Sequence, residues 1–80
     1  MTRYFFHVED AQPFTDAMGT VLPDLAAARR ESVRYAGALL ADLPDAFWSS
    51  RTWAMHVADG HRTLFTLSFR ATDPATRTAA

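Results

Sequence analysis

Across residues 53–69, WAMHVADGHRTLFTLSF, apolar and polar positions alternate on both sides of an Asp-Gly pair. Trp53, Met55 and Val57 share one face of the first arm, and Phe65, Leu67 and Phe69 share one face of the second. A period of two in both arms predicts a half-buried β-hairpin. For the two apolar series to lie on the same face, the connection must hold an odd number of residues or absorb a bulge. Gly60 suits the left-handed position of a three-residue loop closed by a G1 bulge. Near the N-terminus, RYFFHVED alternates in the same way, with Tyr4, Phe6 and Val8 as the inner series, and predicts a strand over residues 3–9. The stretch DAQPFTDAMG follows, with Asp16 three residues before Gly19, the residue order of a type I turn. Thr20, Val21 and Leu22 then form a short second strand.

The period changes after Pro23. Asp24 is placed to accept from the free amides of a first helical turn, and its charge suits the positive end of the helix dipole. Leu25, Ala28, Ser32, Tyr35, Ala36, Leu39, Leu40 and Leu43 recur at spacings of three and four, which predicts a helix over residues 25–43 with one apolar stripe about 100 degrees wide. Arg29, Arg30, Glu31 and Arg34 fall on the opposite side. Pro44 cannot continue the helix and restricts the residue before it. The following PDAFWSSRT reads as a loop whose Phe47 and Trp48 fold back over the edge of the core. The expected architecture is therefore α+β, a two-layer ββαββ fold in which one helix packs on one face of a four-stranded antiparallel sheet. It occupies residues 1–70 as a single domain, and the small, polar, aperiodic residues 71–80 are expected to be a disordered tail.

Composition narrows the function classes. Eighty residues make one domain with a thin stability margin, since a chain of this size buries only about 60 to 65 per cent of its unfolded surface. Dimerisation would widen that margin. The formal net charge is -1 and all 8 basic side chains are arginine, so no cationic surplus exists to concentrate nucleic acid or anionic membrane. The absence of cysteine removes disulfides, thiolate nucleophiles and cysteine metal knuckles. The aromatic run near the start is broken by His7 and is far shorter than a signal-peptide core or a membrane span. Cytoplasmic residence without membrane contact is the expectation.

Four segments in order, RYFFHVED, the acidic turn DAMG, LPDLAAARRES and WAMHVADGHRTLFTLSF, resemble an uncharacterised family of short bacterial domains of unknown function over about residues 2–70. The resemblance implies the same small ββαββ domain and no activity. A looser likeness, a strand pair followed by an acid-capped helix, is to the HicB-type antitoxin domain. The glycine-rich strand start and DNA-binding tail usual in that pattern are not in this chain.

Candidate chemistry is sparse. His7 and His56 both fall in the outward series of their strands, and if those strands are neighbours the two imidazoles approach each other, as a metal site or proton shuttle would require. The simpler reading is two half-exposed strand residues, with no HExxH motif or carboxylate triad nearby. His61 and Asp59 flank the turn glycine on a loop tip without a pocket. Ser32, Ser49, Ser50 and Ser68 lack a nucleophile elbow, and the 3 glycines are too scattered to cradle phosphate. Arg29, Arg30 and Arg34 read as a solvated helix face, and Glu9 and Asp10 as charges flanking a turn. No catalytic residue, metal ligand or cofactor is assigned. The outward sheet face is the candidate interaction surface, carried by Arg3, Phe5, His7, Ala54, His56, Ser68 and Arg70. The expected function is a small non-enzymatic interaction or regulatory module, a homodimer or the binder of another protein. The alternative is a weak nucleic-acid binder that uses the open sheet face, although a base-stacking sheet normally offers more aromatics than Phe5 alone.

Overall fold

The structure, a computed structural model, describes residues 1–10 and 12–74. In chain order the elements are β1 (Thr2–Glu9), β2 (Thr20–Leu22), α1 (Leu25–Asp42), α2 (Pro44–Ser50), β3 (Thr52–Ala58) and β4 (Thr63–Arg70). The strands form one antiparallel sheet in the order β2-β1-β3-β4, and the helices cover one face. The α+β class and the four-stranded sheet agree with the sequence pattern. From residue 75 onward the expected tail lies outside the described residues, while Ala71 N–H still donates to the Arg51 carbonyl at 3.0 Å.

The buried core is the inner strand series, Tyr4, Phe6, Val8, Trp53, Met55 and Val57, closed by Ala28, Ser32 and Ala36 of α1. Those three small residues stand four apart and let the helix backbone come close to the sheet. Ser32 is buried without penalty because its hydroxyl donates to the Arg29 carbonyl at 2.7 Å. Asp24 caps α1 as its position predicted, its carboxylate accepting Ala27 N–H at 2.9 Å. The helical stripe is shorter than expected, since Leu25 at one end is exposed and Leu43 at the other lies past the last helical residue and is exposed as well.

Two expectations need correction. The segment read as a loop after Pro44 is the helix α2. Pro44 sits at its start with φ already suited to a helix, Asp45 lies in the first turn, and Arg51 in the left-handed region ends it by donating its N–H to the Phe47 carbonyl at 2.6 Å. Leu43 thus closes α1 and opens α2 at once. Of the two aromatics expected to fold back, Phe47 packs against the core, whereas Trp48 is 54% exposed with the Arg51 guanidinium 5.9 Å from its ring centre. The hairpin connection is not a three-residue loop either. Residues 59–62 separate the strands, and a register shift at Val57/Ala58 absorbs the parity, so that Val57 still faces Phe65. Asp59 holds this loop, its Oδ1 accepting from His61 N–H (3.1 Å) and Arg62 N–H (3.3 Å). The His61 amide is the largest influence holding the Asp59 carboxyl below its ordinary pKa.

Candidate functional site

The sheet order makes β1 and β3 neighbours, and their register sets His7 directly opposite His56, Phe5 opposite Ala58 and Glu9 opposite Ala54. On the far side of β3, Thr66 lies opposite His56 and Ser68 opposite Ala54. Phe5, His7, Ala54, His56 and Ser68 therefore form one continuous patch on the face away from the helices. Arg3 and Arg70 stand at its opposite ends, Arg3 beyond the Phe5–Ala58 pair and Arg70 beside Thr52. Arg3 is tied to the connection, its Nη1 donating to the Met18 carbonyl at 2.9 Å.

The two histidines share a register position but not a task. Asp16 N–H donates to His7 Nδ1 at 3.0 Å, so the neutral ring carries its proton on Nε2. His56 Nε2 lies 2.6 Å from Glu9 Oε1 and Nδ1 lies 2.8 Å from Thr66 Oγ1. A carboxylate only accepts, so Nε2 donates to Glu9, and on the neutral ring Nδ1 accepts from the Thr66 hydroxyl. The imidazole lone pair that a metal would need is thus engaged on both rings. Among the described residues no three His, Cys, Asp or Glu side chains gather as metal ligands. The order Glu9–His56–Thr66 is that of a hydroxyl–imidazole–carboxylate relay, spread across three strands of an open surface rather than set in a cleft.

Phe5 is more enclosed than a stacking platform. Gly19, at φ +72°, approaches its ring so closely that an added Cβ would lie 2.9 Å from Phe5 Cε2. On the other side, an added Cβ at Gly60 would lie 3.6 Å from Cε1. The His7 ring lies parallel to it, with centroids 6.3 Å apart. An open depression of about 410 Å³ beside these rings is lined by Gly60, His61, Arg62 and Thr63 from the hairpin loop.

The β1 edge of this face is sealed by a side chain. β2 covers Thr2, Arg3 and Tyr4 and then leaves. Where it leaves, Asp16 Oδ2 accepts Phe6 N–H at 3.1 Å, and Oδ1 accepts Met18 N–H and Gly19 N–H. Two residues on, Val8 and Phe14 exchange a pair of backbone bonds at 2.8 and 2.9 Å. Burial pushes the Asp16 pKa up, but the Gly19, Phe6 and Met18 amides, with His7, outweigh it and hold the carboxyl below its ordinary value.

Several organising residues escaped the sequence reading. Glu9 and Thr66 read in sequence as outward-series residues, but their convergence on His56 depends on the strand order, which the sequence does not give. Asp16 reads in sequence as a turn residue, and nothing local announces that its carboxylate extends a sheet edge. An apolar groove between α1, α2 and the end of β1 was also missed. The breadth of its leucine positions, Leu39, Leu40 and Leu43, was the available clue. Among the described residues no helix is long and apolar enough to cross a membrane.

No curated protein and no solved structure matches this chain. The family model Domain of unknown function (DUF6894) matches residues 3–70, from the first strand through the capped helix to the closing hairpin of this chain, and the chain belongs to that family.

Proposed function

We propose that this domain is a cytoplasmic, non-enzymatic interaction module that pairs with a second copy of itself along β4. The observation that supports this reading is the state of the β4 edge. β4 is 8 residues long, forms an outer edge of the sheet, and has one charged side chain, Arg70, at its last position. Uncovered strands of this kind are templates for pairing, and folded proteins normally guard them with charge, proline or brevity. The apolar row of β4 is also incompletely covered, because the helices pack mainly over β2 and β3. Phe65 and Leu67 are half-buried and Phe69 is 43% exposed, its ring edge against Trp53. An antiparallel β4–β4 contact about a two-fold axis would satisfy the edge amides and bring each Phe69 row onto its copy, an isologous contact.

Sedimentation velocity at micromolar concentration tests this. The expected species is a dimer that Phe69→Lys converts to a folded monomer. A wild-type monomer, or a dimer indifferent to that substitution, would reject the β4 contact.

A second reading, weak nucleic-acid binding on the open face, draws on the parallel Phe5 and His7 rings beside His61 and Arg62. Titration with single-stranded RNA and duplex DNA across a salt series separates it, because phosphate-driven binding must weaken as salt rises.

A further inference from the structure

The second apolar feature of the molecule is a groove of about 250 Å³ at the end of the fold away from the hairpin loop. Val8 and Trp53 of the sheet, Tyr35 and Leu40 of α1, and Phe47 of α2 line it, and Asp10 and Gln12 stand among them from the segment after β1. Val8 and Trp53 are buried, so part of the lining belongs to the rigid core. A cavity of about 150 Å³ holds benzene, so this volume accommodates a ring with a short side chain.

Asp10 is the one charged side chain among the described residues that line the groove. Asp10 Oδ1 accepts Gln12 N–H at 2.7 Å, which fixes the carboxylate beside the groove. Aromatic walls with a carboxylate at the rim suit a cation carried on an apolar body, through both ion pairing and the faces of the rings. An anion of the same shape would meet Asp10.

We propose that this groove binds a small amphipathic cation, an aromatic amine whose ring enters between Phe47, Tyr35 and Trp53 while its ammonium group pairs with Asp10. The groove opens between the helices and the end of β1 rather than at the β4 edge, and Trp53 of its lining also meets Phe69 of β4.

Amide-resolved NMR titration of the full chain with 2-phenylethylammonium, 2-phenylethanol and phenylacetate, at one pH and ionic strength, tests the assignment. The ammonium compound should bind at least ten-fold more tightly than the other two, with shifts gathered at Val8, Leu40, Phe47 and Trp53. Asp10→Asn should remove that ten-fold preference and leave the weak binding of the alcohol unchanged. Ala46→Trp, at an exposed position lining the groove, should block all three compounds in a chain that remains folded. Equal affinity for the three compounds, a preference that survives Asp10→Asn, or shifts gathered elsewhere would overturn the proposal.

Discussion

The two edges of this sheet are finished in opposite ways. On the β2 side a strand of three residues is followed by the Asp16 carboxylate and then by the Val8–Phe14 bridge, so the outer amides of β1 are met one after another. On the β4 side an eight-residue strand runs to the edge with its apolar row half covered. A chain that closes one edge with a side chain and leaves the other clear has two kinds of border, and the proposed contact lies at the second. The β2 border is met by local chemistry within residues 14–20, while β4 runs along the outer edge of the sheet.

The largest effect is expected where the closed border is tightest. A Cβ on Gly19 would meet Arg3 Cγ at 2.7 Å and the Tyr4 carbonyl at 3.0 Å, and its φ of +72° is strained for any branched side chain. Gly19→Val should cost about 3 kcal/mol in urea unfolding, combining the left-handed backbone penalty with a clash against backbone that cannot swing away. If the loss is only a few tenths of a kcal/mol, the connection is loose and the contrast between the edges is weaker than described.

Next comes the carboxylate that stands in for a strand. Asp16→Ala leaves the Phe6, Met18 and Gly19 amides to find water or go unmet, and should cost about 2 kcal/mol. Because the folded-state pKa is depressed, the stability this group contributes is complete above its ordinary value of 3.8 and is lost as pH falls through the lower folded value. Wild-type stability should therefore fall as the pH drops below about 4, and Asp16→Asn should flatten that fall. Equal pH slopes in the two proteins would remove Asp16 from this role. Asp59, depressed by its own loop amides, shifts in the same direction and accounts for part of the slope that remains in Asp16→Asn.

How much of this contrast could be read from the chain depends on range. The inner and outer series of β1, β3 and β4, the extent of β2 and the Asp24 cap all follow from local period and local hydrogen-bond chemistry, and the structure agrees with them. α2 did not follow, because seven residues make too few turns for a helical period to show and Phe47-Trp48 resembles a core-capping loop. The pairing of His7 with His56, and the link from Glu9 through His56 to Thr66, needed the strand order β2-β1-β3-β4, which no local pattern encodes. The residues named from the sequence share one face of the sheet, while the partners that hold His56, Glu9 and Thr66, emerge only from the strand order.

The open border gives the third expectation. Phe69→Lys should raise the dimer dissociation constant at least thirty-fold, about 2 kcal/mol, by placing a charge in the apolar row of β4. Val21→Lys is the matched control, since Val21 is a similarly exposed apolar residue on β2, the closed side. Analytical ultracentrifugation of both variants should show one monomer and one unchanged dimer. Two unchanged dimers would move the contact away from both edges, to the open face or the helices.

The smallest expected effect lies between the borders, at Glu9 and His56. Their contact is short at 2.6 Å, but the Glu9 side chain is 70% exposed, and ion pairs open to water are worth little because solvent and salt screen them. A double-mutant cycle with Glu9→Ala and His56→Ala should return a coupling of about 0.2 to 1 kcal/mol, smaller than either edge substitution. Thr66→Val belongs beside it, because it removes the hydroxyl on the other ring nitrogen while keeping the shape and the strand preference. If the three residues act only as a cross-strand contact, Thr66→Val should leave the Glu9–His56 coupling nearly unchanged. A coupling above about 2 kcal/mol that disappears in Thr66→Val would mean the three form one cooperative network, and the centre of the open face would then outrank the β4 edge as the place to look for function.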